Sequence, residues 1–141
     1  MIKFIKDLPL AFIEKRKILV VSELHLGFEY ELAKSGIIIP SQAEKFARII
    51  KRVQKKVGAK KLVVIGDVKH TVPGISSKEM SEIPKFFSYF KNVFVVKGNH
   101  DGGLREARAE IILEHVGFFH GHAYPSRRLL KTRYWIAAHI H

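Results

Sequence analysis

The sequence predicts an α/β fold built on a partly parallel sheet, on three observations. Short runs of apolar β-formers alternate with helical periodicity in the order strand, helix, strand, helix, strand, the signature of right-handed crossover units. Each of these strand runs ends in a polar word carrying a carboxylate, an amide or an imidazole, and ligands bind at that edge of open α/β sheets. The chain has 141 residues, 47% hydrophobic and 27% charged, which fits one globular domain with a real core, expected to span residues 1–141.

The elements follow in order. Residues 1–7 alternate charge with bulk and lack a signal-peptide core. Runs 10–14 and 17–21, joined by Lys15 and Arg16, predict a hairpin leading into a buried strand that ends in Ser22-Glu23-Leu24-His25. Phe28 to Ser35 reads as a short helix stopped by Gly36, and 37–40 as an extended connector. Ser41 is placed as the next N-cap, with Glu44 completing a capping box. From there Ala43, Phe46, Ala47, Ile50, Val53 and Val57 hold helical spacing up to Gly58. Opposite them lie Lys45, Arg48, Lys51, Arg52, Lys55 and Lys56, a basic face that is either simply solvated or turned to phosphate.

Residues 61–65 read as a second buried strand, ending in Gly66-Asp67-Val68-Lys69-His70. A helix capped at Ser76 or Ser77 is expected to run to Phe90, with Met80, Ile83, Phe86, Phe87 and Phe90 inward and Pro84 as an irregularity. Val93-Phe94-Val95-Val96 is the third buried strand, ending in Gly98-Asn99-His100-Asp101. Residues 111–115 and 116–119 read as two more strands, the second running into His120-Gly121-His122. Residues 124–133 are expected as a basic loop with Arg127, Arg128, Lys131 and Arg133, and 134–138 as a last strand before His139-Ile140-His141.

Composition bounds the function. With no cysteine, disulfides and thiolate metal sites are excluded. No apolar run approaches the roughly 20 residues that span a bilayer, so a cytoplasmic location is the default expectation. The net charge of +12 favours polyanionic partners, or else reflects a Lys-rich solvated surface of the thermophile kind.

Eight histidines, at 25, 70, 100, 115, 120, 122, 139 and 141, mostly follow hydrophobic runs. Five strand tips therefore deliver Glu23 with His25, Asp67, Asn99 with His100, His120, and His139 with His141. Glu23 and His25 are two apart, so in extended chain both side chains point to one side. A lone histidine at a strand end has an ordinary hydrogen-bonded reading; five tips of oxygen and imidazole donors point to metal. Such mixed donors suit Mn, Fe, Zn or Ni more than Ca or Mg. There are more donors than one ion needs, and Asp67 is the carboxylate able to bridge two.

The ordered words Glu23-x-His25, Gly66-Asp67-x-x-His70, Gly98-Asn99-His100-Asp101, His120 and His139-x-His141 resemble the calcineurin-like metallophosphoesterases. Residues 24–29, 66–70 and 120–122 look closest to the archaeal phosphoesterase group related to the SbcD nuclease subunit. The family's first ligand is aspartate where this chain has Glu23, and Ala138 replaces the glycine of its last word. The resemblance implies a sandwich of two mixed sheets flanked by helices, the second sheet reduced because the chain ends at His141. It implies two divalent ions, Mn²⁺ first, with Fe, Ni or Zn as alternatives. One would be held by Glu23, His25, Asp67 and His141, the other by Asp67, Asn99, His120 and His139. It further implies that His100 acts on the phosphate or leaving oxygen, oriented by Asp101, with His70 and His122 behind the ligands or facing substrate.

The function so implied is a phosphoesterase, in particular a phosphodiesterase, that activates hydroxide for in-line attack. Arg127 and Arg128, next to the His120 word, add a preference for nucleotide or nucleic-acid substrates. The alternative is a catalytically impaired, shortened homologue that binds metal, protein or nucleic acid. An exposed edge on the reduced sheet would favour pairing with a second copy. The Lys-rich, cysteine-free composition together with the resemblance suggests an archaeal or thermophilic source. His115 is left as a structural histidine.

Overall fold

The structure, a computed structural model, describes residues 1–139. Among the described residues, eight strands form two sheets. The first has the order β1 (Ile2–Phe4), β2 (Leu10–Ile13), β3 (Ile18–Ser22), β4 (Lys61–Ile65) and β5 (Val93–Val96). β1, β2 and β3 pair antiparallel, whereas β3, β4 and β5 pair parallel, so the sheet is mixed. The second sheet has the order β6 (Glu110–Leu113), β7 (Val116–Phe119) and β8 (Tyr134–Ala137), with β6 antiparallel and β8 parallel to β7.

The register explains the layers. Leu19 pairs with Leu62 and Val20 with Val63, so partners share a face. One face, with Leu19, Val21, Leu62 and Val64, packs on the helices through Ala43, Ala47, Ile50, Ile83 and Phe86. The other, with Ile18, Val20, Val63, Ile65 and Val96, packs on Val116 and Phe118 of the second sheet. Strands buried on both faces need continuous apolar runs, and β3 and β4 have them. The predicted α/β fold of two mixed sheets is therefore the observed one.

Among the described residues, four helices connect the strands: α1 (Phe28–Lys34), α2 (Ala43–Val57), α3 (Ser77–Phe87) and α4 (Arg127–Leu130), with a 3-10 turn at Glu14–Arg16 between β2 and β3. Among the described residues no helix is long and apolar enough to cross a membrane.

Several boundaries differ from expectation for identifiable reasons. Ser41 does not cap α2; its hydroxyl bonds the Glu82 carboxylate, and Gln42 takes the N-cap position without a side-chain bond. Ser76 does cap α3, in a full capping box with Glu79. That helix stops at Phe87, and Met80, expected inward, is 63% exposed. The basic stretch 124–133 contains the short α4, begun by Ser126 accepting the Leu129 N–H and anchored by buried Leu129. β1 was not foreseen: residues 1–7 alternate charge with bulk, but all three residues of the strand are exposed, so that alternation marks no buried face. Glu114 and His115 form the two-residue β6–β7 turn, both at positive φ, so His115 sits in a turn.

Candidate metal centre

Because β3, β4 and β5 run parallel, their C-terminal tips open on one edge, and β7 and β8 end together on the second sheet. The loops after β3 and β4 are laced by backbone bonds: Glu23 N–H to Gly66 O at 3.1 Å, His25 N–H to Asp67 O at 2.8 Å, Leu26 N–H to Val68 O at 2.7 Å. This lacing holds Glu23, His25 and Asp67 at φ of 51°, 44° and 50°. Non-glycine residues adopt that region at a cost, and such residues gather at functional sites.

The left-handed backbone also changes which side chains meet. Extended chain would send Glu23 and His25 to one side; here Glu23 gathers with His120 and His139, and His25 gathers with His70 and His100. Within each trio the donor atoms lie within 4.8 Å of one another. Asp67, 3% exposed, stands between the groups: its Oδ2 is 3.8 Å from His25 Nε2 and 3.4 Å from His120 Nε2.

The donor chemistry fits a cation. His120 is buried, and its Nδ1 faces the Ile65 carbonyl oxygen at 3.3 Å. An Nδ1–H donated there leaves Nε2 as a bare lone pair. That nitrogen lies 3.2 Å from the Asn99 Oδ1 and 3.4 Å from the Asp67 carboxylate, so in this tautomer three potential ligand atoms converge. In the other group the buried Nδ1 atoms of His25 and His70 have no hydrogen-bond partner among the described residues. Burial pushes the His25 pKa down, Asp67 opposes this, and the neighbouring His100 and His70 push it down again. A neutral imidazole is the form that ligates metal.

Glycines make room for this packing. A Cβ on Gly66, at φ 70°, would lie 2.1 Å from His120 Nδ1, and one on Gly98 would lie 2.2 Å from Asp67 Oδ1.

Asp101 takes a different part from the one expected. Its side chain is fully buried and accepts the N–H groups of Val68 at 2.8 Å and Lys69 at 3.3 Å on one oxygen, and of Gly98 at 2.8 Å on the other. With both oxygens committed to backbone, it ties the β4 and β5 loops together. The atom facing His100 Nδ1 is the His70 carbonyl oxygen, at 2.7 Å. The His100 amide in turn donates to Asp67 Oδ1 at 2.9 Å.

Sequence reasoning missed Glu79. Fully buried, it accepts the N–H groups of His70 at 3.0 Å, Thr71 at 2.6 Å and Ser76 at 2.8 Å, and so shapes the loop that presents His70. The spacing of Ser76 and Glu79 was the available signal, a capping box lying just beyond the Asp67 word. His122 stands against His120, ring centroids 5.3 Å apart, and lines a cleft of about 100 Å³ with Lys97, Glu110 and Tyr124. Loss of solvation and then His120 push its pKa down. Arg127 and Arg128 sit exposed on α4. His141 lies outside the described residues. A larger groove, about 740 Å³ between α3, β5 and β6, contains none of the candidate ligands.

Residues 16–141 match the family described as calcineurin-like phosphoesterase, Metallophos. The chain belongs to that family. Among solved structures it is similar to the nuclease MPE of Pseudomonas putida, with 18% identity and a TM-score of 0.59, over 94% of this chain and 65% of that one. It also matches Yfce, a phosphoesterase from E. coli, at 18% identity and a TM-score of 0.44, over 74% of this chain and 57% of that one. The chain thus spans less than two thirds of the length of either. No curated protein sequence matches it. At 18% identity the likeness to the Pseudomonas putida nuclease speaks for the fold, and the family supplies the chemical class: its members are phosphoesterases, which generally use divalent metals.

Proposed function

We propose that this protein is a metal-dependent phosphoesterase, acting on phosphodiesters, with a two-ion centre at the strand tips. The observation that carries this reading is the convergence of the His120 Nε2, Asn99 Oδ1 and Asp67 Oδ2 acceptors. One ion would be held by Asp67, Asn99, His120 and His139 together with Glu23. The other would be held by Asp67 and His25, with His141 as the expected further ligand. Divalent ions bound there, Mn²⁺ before Fe, Ni or Zn, would supply the positive charge that stabilises phosphate oxygens during in-line displacement.

The chain's own residues account for the rest. Buried Asp67 fixes the distance between the groups and holds the His100 amide. Proton transfer to the leaving oxygen falls to His100, kept in one orientation by the His70 carbonyl. Asp101 and Glu79 hold the loops on which these side chains stand. The net charge of +12, with Arg127 and Arg128 exposed beside the His120 loop, supports a nucleotide or nucleic-acid substrate.

The test is Mn²⁺-dependent hydrolysis of bis-p-nitrophenyl phosphate by the parent and by His100→Ala. A parent active only with the ion, and at least about 100-fold slower after the substitution, is the expected result. A folded parent with no hydrolysis under any of Mn²⁺, Fe²⁺, Ni²⁺ or Zn²⁺ would contradict it. In that event the binding-protein reading takes its place.

A further inference from the structure

We propose that the outer crest of α2 is a docking surface for the phosphate backbone of nucleic acid, separate from the metal centre. The inference rests on the nucleic-acid reading above and adds where the polymer is held.

Only one acidic residue, Glu44, lies in this 15-residue helix, and it sits in the first turn, where Tyr89 bonds it. Beyond it come Lys45, Arg48, Lys51, Arg52, Lys55 and Lys56. At about 100° per residue, Lys45, Arg52 and Lys56 fall within about 20° of one line along the helix. Of the buried residues, Ala43, Ala47, Ile50 and Gln54 lie at about 140–200° from that line and Val53 at about 80°, so the three cations point away from most of the buried face. Lys55 flanks them, also exposed. Among the described residues none of these four cations forms an ion pair with a carboxylate.

An all-basic crest carries an energetic cost. Arg48 with Arg52, Lys51 with Lys55 and Arg52 with Lys56 are i,i+4 pairs of like charge, each disfavouring the helix by about 0.2–0.5 kcal/mol. Two other helices pair a cation with a carboxylate of their own: in α1, Lys34 bonds Glu31, and in α3, Lys85 pairs with Glu82. A polyanion laid along α2 would remove the repulsion, whereas solvent alone only screens it. The line from Lys45 to Lys56 is about 17 Å long at 1.5 Å per residue, which spans about five phosphates of one strand at roughly 3.4 Å each.

The test measures binding of a fluorescein-labelled 20-base-pair DNA duplex by anisotropy between 50 and 300 mM salt. It compares the parent, the crest variant Lys45→Gln/Arg52→Gln/Lys56→Gln, and a control with the same charge loss elsewhere, Lys6→Gln/Lys15→Gln/Lys91→Gln. The crest variant should lower the salt slope by about three and the affinity at 100 mM salt by on the order of 100-fold. The control should lose less than about threefold. Equal losses in the two variants, or none in the crest variant, would overturn the proposal. So would a parent that binds vesicles of anionic lipid but not the duplex. Hydrolysis of the small diester by the parent, run in parallel, separates the two readings. A parent that cleaves the diester and ignores DNA loses the crest and keeps the chemistry. One that binds DNA through the crest and cleaves nothing keeps the crest and loses the chemistry.

Discussion

The Nδ1 of His100 lies 2.7 Å from the carbonyl oxygen of His70, a backbone bond that fixes the ring and directs its proton. An imidazole so held donates from Nδ1 and presents Nε2 as its reactive position. His100→Ala should therefore lower kcat by about 10²–10⁴-fold, with little change in Tm. His100→Asn is the sharper variant. Its amide can still donate to the His70 carbonyl, yet it cannot shuttle a proton, so it should be folded and equally slow. Steady-state kinetics beside thermal melts would show both, and an Asn variant near parent activity would remove His100 from the chemistry.

Glu79 links stability to pH. Burial alone would push its pKa up, but the amides of Ser76 and Thr71 outweigh this and hold it below the ordinary 4.5. A carboxyl with a lowered folded pKa adds stability that is present above its unfolded pKa and is lost as pH falls through the folded one. The parent should therefore lose Tm progressively below about pH 4.5, and Glu79→Gln should flatten that part of the profile. At pH 7 the substitution should cost about 1–3 kcal/mol, because a neutral amide cannot serve three backbone donors as a carboxylate does. Denaturant melts across pH 3–7 would measure both.

How far the sequence led can be judged residue by residue. The three parallel strands were legible because β3, β4 and β5 are runs of Ile, Leu, Val and Phe, and the polar words after them marked the tips. The trios formed by the donors were not legible, because alternation assumes extended chain and Glu23 and His25 are left-handed. Ser41 had the right spacing for a cap, but a tertiary partner 41 residues away claimed its hydroxyl. Asp101 had the right neighbour in sequence, yet its oxygens were taken by amides of residues 68, 69 and 98, a choice made by the loop packing.

Gly66 tests the packing behind the ligands. An alanine there must take φ 70°, at about 1–2 kcal/mol, and must also displace His120, whose Nδ1 would stand 2.1 Å from the new Cβ. Gly36→Ala is the matched control, since its φ is 83° but nothing lies within 4 Å. Both variants should lose a similar first increment of stability; only Gly66→Ala should also lose Mn²⁺ binding, read by isothermal titration calorimetry.

Glu23 stands where the family has aspartate, and here its carboxylate gathers with His120 and His139. Glu23→Asp withdraws the carboxylate by about one carbon–carbon bond, large against the roughly 0.2 Å that metal–ligand distances tolerate. The half-saturating Mn²⁺ concentration should rise by about tenfold or more. A variant that binds Mn²⁺ more tightly and works faster would instead mean that glutamate is the defect in this chain.

The most direct measurement is a Mn²⁺ titration of bis-p-nitrophenyl phosphate hydrolysis by the parent and by Asp67→Asn. Among the described residues, the Asp67 carboxylate lies within 4 Å of both His25 and His120. If it joins two ions in a phosphoesterase centre, the parent should bind about two Mn²⁺ per chain, with hydrolysis rising as they fill. Asp67→Asn should then fold, bind fewer ions and be inactive. Hydrolysis that persists in Asp67→Asn at the parent's Mn²⁺ dependence would contradict the account, because the reaction would then run without the residue that joins the two groups.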